Sequence, residues 1–152
     1  MNKRQALEFQ VQDHLGVIAL LQDARARHLL APFDLSKSQF TVLFLLANNT
    51  EKQWTMSELK QHLEMNLPGL SKITNKLVER GYVKLTASKQ DARKKFLRLT
   101  NKGVKQVEKV LAASSDTVAF TFSEWSDQEL EGFNGQLAKL KTWLDEHREI
   151  LK

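Results

Sequence analysis

The residue types that could do chemistry in this 152-residue chain are cations and short polar groups rather than nucleophiles. The sequence holds no Cys, which removes disulfides, thiolate metal sites, Cys nucleophiles and thiol-based redox sensing together. It shows neither a Gly-rich phosphate loop nor a Ser/His/Asp signature, and paired acids such as Glu129 with Glu131, or Asp145, Glu146 and Glu149, fall on helix faces predicted to be solubilising. No enzymatic activity is expected. His14 and His28 lie on one predicted helix nearly four turns apart, too far to share an ion within one subunit, and His62 and His147 lie elsewhere, so no metal and no cofactor is expected either.

The cations are unevenly placed. Residues 53–103 hold eleven Lys and Arg against four acids, a balance of +7, while the chain as a whole is only +5. Basic charge gathered in one third of a chain is the footprint of a polyanion-binding module, because neutralising phosphates releases condensed counterions. Within that third, Leu70, Ile73, Leu77 and Val78 make an apolar stripe, which at about 100° per residue turns Pro68, Ser71, Lys72, Asn75, Lys76 and Glu79 broadly outward. A helix fits the major groove of DNA, where Asn bonds adenine, Lys reaches guanine, and Ser serves bases or phosphate. Gly69, with no side chain, would let backbone approach a phosphate at the helix N-terminus. The second basic group is D-A-R-K-K, Asp91 to Lys95. Arg93 suits a narrow minor groove and Lys94 and Lys95 suit phosphates. Asp91 either pairs with Arg93 and orients it or simply forms the turn.

These groups need elements to hold them. Residues 5–30 repeat Leu7, Val11, Leu15, Ile18, Leu21 and Leu29 at helical spacing, predicting a long amphipathic helix that Pro32 ends. Ser36 with Gln39 forms a capping box opening a helix near 37–48, apolar almost all round and hence central to the core. Trp54 follows a polar break as an isolated aromatic. Thr55 and Glu58 cap a short helix ending near Glu64. Pro68 is tolerated in the first turn of the next helix, and Gly81 stands where a left-handed C-cap belongs. Tyr82–Thr86 and Lys95–Thr100 alternate as short strands around a polar ASKQDARK tip that contributes nothing to a core. Thr100 can cap a further helix through Val104, Val107, Leu111 and Val118, and Ser126 with Glu129 opens the last, carrying Leu130, Phe133, Leu137, Leu140 and Leu144. The fold class is therefore mainly α with a small β-hairpin wing.

Residues Trp54 to Gly103 resemble the multiple-antibiotic-resistance regulators, the MarR family of bacterial transcription factors. The likeness rests on T-M-S-E-L, on L-S-K-I-T-N-K-L-V-E-R-G-Y-V and on D-A-R-K-K-F-L-R-L-T-N-K-G, where Asp91, Arg93, Leu99, Thr100 and Gly103 occupy the family's wing and helix-start positions. The resemblance implies a winged helix-turn-helix with Ser71, Lys72, Asn75 and Lys76 on the recognition helix and Arg93 at the wing tip. It implies outer helices that form a homodimer, and release from double-stranded DNA by a small-molecule effector, aromatic or anionic, whose pocket no residue identifies.

The expected organisation is an N-terminal dimerisation helix over 1–33, a DNA-binding domain over 34–100 and dimerisation helices over 101–152. Phe120, Phe122, Trp125, Phe133 and Trp143 supply apolar surface for a partner, unless they all close one monomeric core. The expected function is a repressor that acts as a homodimer on a pseudo-palindromic operator. The rival is a winged-helix module for protein contacts without DNA binding. The longest apolar run, Val42 to Ala47, falls far short of the roughly 20 residues a membrane-spanning helix needs. The polar residues after MNKR exclude a signal peptide, so no membrane and a cytoplasmic location are expected.

Overall fold

Helix starts in this chain are set by side chains close in sequence. In the computed structural model, which describes residues 2–88 and 94–150, four helices open on reciprocal capping boxes. Asn2 and Gln5 open α1 (Lys3–Leu30), and Ser36 and Gln39 open α2 (Lys37–Asn48). Thr55 and Glu58 open α3 (Met56–Leu63), and Ser126 and Glu129 open α6 (Asp127–Glu146). Each box satisfies backbone N–H groups that have no partner inside the helix, worth about 1 kcal/mol per cap. A 3-10 turn, Ala31–Phe33, separates α1 from α2. The remaining elements are α4 (Leu67–Glu79), α5 (Asn101–Thr121) and three short strands, β1 (Trp54–Thr55), β2 (Val83–Ala87) and β3 (Lys95–Leu99).

The strands form one antiparallel sheet in the order β1-β3-β2. Trp54, which the sequence presents as an isolated aromatic, opposes Leu97, and both are buried. A two-residue strand shows no alternation, so its partner alone defines it. The β2–β3 ladder runs from Val83 opposite Leu99 to Ala87 opposite Lys95, and the Ser88 amide extends it to the Lys94 carbonyl at 2.8 Å. The hairpin tip, residues 89–93, lies outside the described residues.

The chain divides at Ser114 into two compact units. The first is built on side chains with no exposed surface: Val42 and Leu43 of α2, Leu59 of α3, and Leu70 and Leu77 of α4. Leu30, Val83, Leu97, Val107 and Val110 complete its core. The expectation of a single apolar stripe on α1 does not hold. Phe9, Val17 and Leu20 fall off it, only Leu30 is buried, and Leu7, Phe9, Leu20 and Leu21 are 56–71% exposed. The second unit contains α6, in which no residue is buried. Trp125 bridges Phe122 and Phe133 with ring centroids 5.7 and 5.3 Å away, and Trp143 stacks on His147 at 4.3 Å. Among the described residues no single helix is long and apolar enough to cross a membrane.

Thr100 joins the hairpin to α5. Its amide donates to the Tyr82 carbonyl at 3.0 Å and its hydroxyl to the Gly81 carbonyl at 2.6 Å, while that hydroxyl oxygen accepts the Gly103 amide at 3.1 Å. Gly103 is glycine for a steric reason: a Cβ there would sit 2.1 Å from the Tyr82 oxygen and 2.8 Å from Leu99 Cδ2. Gly103→Ala must push the first turn of α5 off the sheet, and its cost is expected at the upper end of the 1–3 kcal/mol range for overpacking, or about 3 kcal/mol. A denaturant midpoint indistinguishable from the parent chain would show that this packing is not required.

Candidate nucleic-acid interface

The turn between α3 and α4 occupies Glu64 to Asn66. Glu64 takes the left-handed conformation at φ 51°, and the Met65 amide closes on the Lys60 carbonyl at 3.2 Å. Asn66 then caps α4 through its side-chain oxygen, which accepts the Gly69 amide at 2.7 Å. This residue was not among those singled out from the sequence, because no Glu or Gln stands three positions later to complete a box. The cap also gives Gly69 a different reason to be glycine. A Cβ would lie 2.9 Å from the Asn66 oxygen, and the amide that could have met a phosphate is already engaged. Pro68 has no N–H, which leaves Gly69 close backbone approach rather than amide donation.

Along α4 the inward positions are Leu70, Thr74 and Leu77, all buried. Thr74 was unassigned by the sequence reading. Its hydroxyl donates to the Leu70 and Ser71 carbonyls at 3.0 and 3.1 Å, which satisfies it within the helix and lets it face the core. Pro68, Lys72, Asn75 and Lys76 are exposed, and Ser71 is half-buried at the edge beside Val78. The structure therefore brings Lys72, Asn75 and Lys76 together on one open face. Lys72 and Lys76 also border a groove of about 570 Å³ whose other wall is Asp34, Leu35, Ser36 and Gln39.

On the hairpin, Lys94 and Lys95 are exposed, whereas Asp91 and Arg93 fall outside the described residues. Lys94 lies near the start of α3. The Glu58 carboxylate is held below its ordinary pKa first by the Thr55 amide and hydroxyl and then, more weakly, by the charges of Lys52 and Lys94. Two further cations appear only once the register is known. Lys84 and Arg98 are directly opposed across the β2–β3 ladder, both exposed, and neither has an ion pair among the described residues. Like charges opposed across a ladder destabilise it. The sequence could have shown this pair had the strand register been assigned.

Two short helices joined by a tight turn, the second with an open polar and cationic face, followed by a basic antiparallel hairpin, define a winged helix-turn-helix protein. The MarR family profile matches residues 33–94. An HTH-type transcriptional regulator of Bacillus cereus is 30% identical over 120 residues, covering 79% of this chain and 76% of that protein. The regulator PapX of Escherichia coli is 27% identical over 101 residues, covering 66% of this chain, and the chain spans only 62% of PapX's length. The fold is shared with Staphylococcus aureus MepR in its DNA complex, at a TM-score of 0.71 and 22% identity over 88% of this chain and 97% of that one. The chain belongs to the MarR family, whose members are transcription regulators and not enzymes.

Asn66→Ala should remove the side-chain cap at the start of α4 and cost about 1 kcal/mol of stability, with faster hydrogen exchange confined to the helix's first turn. Uniform exchange along α4 in this variant would show that Asn66 does not fix the start of the helix.

Proposed function

We propose that this chain is a homodimeric repressor that reads a pseudo-palindromic DNA operator and is released by a small-molecule effector. The observation that carries the reading is the shared exposure of Lys72, Asn75 and Lys76 on α4 beside a hairpin where Lys84 and Arg98 are held opposite each other. Asn75 and Lys72 have the donor and acceptor groups for base edges in the major groove, with Ser71 and Pro68 at the margin of the same face and Gly69 at its N-terminal end. Lys76, Lys84, Lys94, Lys95 and Arg98 would meet phosphates, and a polyanion relieves the repulsion that the ladder imposes on Lys84 and Arg98. Arg93 would enter the minor groove, oriented by Asp91.

Dimerisation is supported by the apolar side chains left uncovered on α1, and by Val118, Phe120, Trp125 and Trp143, which are 41–81% exposed. Exposed apolar area of this extent marks an interaction surface. A twofold dimer presents two copies of α4 to half-sites about 10 base pairs apart. The effector acts by preferring a conformation whose half-site spacing does not match the operator. The protein-contact reading gives no account of why Lys84 and Arg98 should oppose each other.

Selection of bound duplexes from a random pool, followed by anisotropy at two salt concentrations, tests this reading. A pseudo-palindrome should be enriched and its affinity should fall steeply with salt. Asn75→Ala should cost about 1 to 3 kcal/mol and relax specificity at one base pair, whereas Lys84→Ala should weaken all sequences alike and lower the salt slope by about one. No enrichment at low salt, from a folded protein stripped of small molecules, would transfer the weight to a protein-contact module.

A further inference from the structure

The C-terminal end of α4 is tied to two other segments through Arg80, a residue of the L-S-K-I-T-N-K-L-V-E-R-G-Y-V stretch that was given no role and lies off the open face of the helix. The Arg80 guanidinium donates to the Phe33 carbonyl at 3.2 Å and to the Asp34 carbonyl, both in the connector between α1 and α2. It also approaches the Asp34 carboxylate at 3.5 Å, but that side chain is 96% exposed, so the ion pair itself contributes little. The backbone carbonyl of Arg80 accepts from Lys102 Nζ of α5 at 2.7 Å. Arg80 and Lys102 each lie 5.1 Å from the Tyr82 ring centroid, so the half-buried guanidinium is within cation–π range of the ring as well as hydrogen-bonded.

The connector needs this support. Asp34 takes a left-handed conformation at φ 51°, unfavourable for a residue with a Cβ. Its neighbour Leu35 closes back on the Leu30 carbonyl at a long 3.4 Å. Two adjacent carbonyls at the end of the 3-10 turn accept from the one guanidinium, and its planar fork matches such a pair where an ammonium cannot. Beyond this bridge, Leu30 and Leu35 share the buried core with Leu70 and Leu77, whereas Asp34 and Ser36 face Lys72 and Lys76 across the open groove.

We propose that Arg80 is a positioning residue, a strut that fixes the orientation of α4 relative to the end of α1 without itself touching DNA. This rests on the DNA-binding reading above. In a dimer joined through α1, the path from the partner to the reading face runs along α1, through the Phe33–Asp34 connector and across Arg80 into α4. The strut therefore sets how far apart the two copies of α4 are held, and hence which half-site spacing is accepted.

The test compares the parent chain with Arg80→Ala and Arg80→Lys, on duplexes carrying the selected half-sites at the best spacing and at spacings one base pair shorter and longer. The parent chain should prefer its best spacing by about tenfold or more, and both variants should compress that preference to about threefold or less. Affinity at the best spacing should fall about tenfold, as expected for the loss of hydrogen bonds made by a charged group, with the salt slope unchanged. A general loss of stability would lower the active fraction and scale every spacing alike, so the ratio between spacings separates positioning from folding.

A slope lowered by about one would make Arg80 a phosphate contact and overturn the proposal, as would full spacing preference in either variant. Hydrogen exchange without DNA supplies an independent arm: the Leu35 amide should exchange about tenfold faster in Arg80→Ala, and an unchanged rate removes the strut. If the parent chain selects no DNA while this amide still responds to Arg80→Ala, it is the DNA-binding reading that has failed and not the strut.

Discussion

The carbonyl oxygen of Tyr82 accepts the amide of Thr100 at 3.0 Å, takes a weaker 3.3 Å bond from its hydroxyl, and has the Cα of Gly103 pressed against it. Through those contacts the end of α4, the first residue pair of the hairpin and the start of α5 share one origin. Gly81, at φ 71°, turns the chain out of α4 with its amide on the Val78 carbonyl at 2.8 Å, and the Tyr82 amide returns to Leu77 at 2.9 Å. This is the reciprocal closure expected at a helix C-terminus. A displacement of Tyr82 would therefore move the hairpin and α5 together with the helix that carries Lys72, Asn75 and Lys76.

Most features set by neighbours within four residues were legible in the sequence, the caps at Asn2 and Asn66 excepted. The boxes at Ser36, Thr55 and Ser126 and the Thr100 start of α5 rest on side chains bonding backbone three residues away, and the stop at Gly81 rests on its left-handed backbone, whose amide bonds the Val78 carbonyl. Those that needed a distant partner were not. Trp54 became a strand residue only through Leu97, the opposition of Lys84 and Arg98 only through the register, and the role of Arg80 only through a connector 46 residues earlier. Thr74 was given no direction, because its polar type marks neither the apolar stripe nor the cationic face. A threonine that bonds its own helix carbonyl has no need to face solvent. The α1 stripe failed for another reason: apolar residues on several faces of one helix signal surface meant for something beyond its own core.

The site shows a division between what holds the helix and what the helix offers. Leu70, Thr74 and Leu77 are buried and contain no net charge, so the register of α4 on the core is insensitive to ionic conditions. The exposed face is the reverse, with cations and an amide that contribute little to folding. Because those two sets do not overlap, residues on the open face can change without disturbing the helix that presents them. That separation suits a fold that must keep its geometry while its sequence preference varies.

Trp54 is 3% exposed and lies beneath Lys52 Nζ at 3.7 Å, beside His62 at 5.1 Å, with no acceptor for its indole N–H among the described residues. Trp125 and Trp143 are 41% and 48% exposed, and both belong to the other compact unit. The chain thus carries two optically distinct populations of indole. Emission from the buried one reports the state of the helix-turn-helix, while the other pair, on the surface proposed to meet a partner, reports the association of the chains instead.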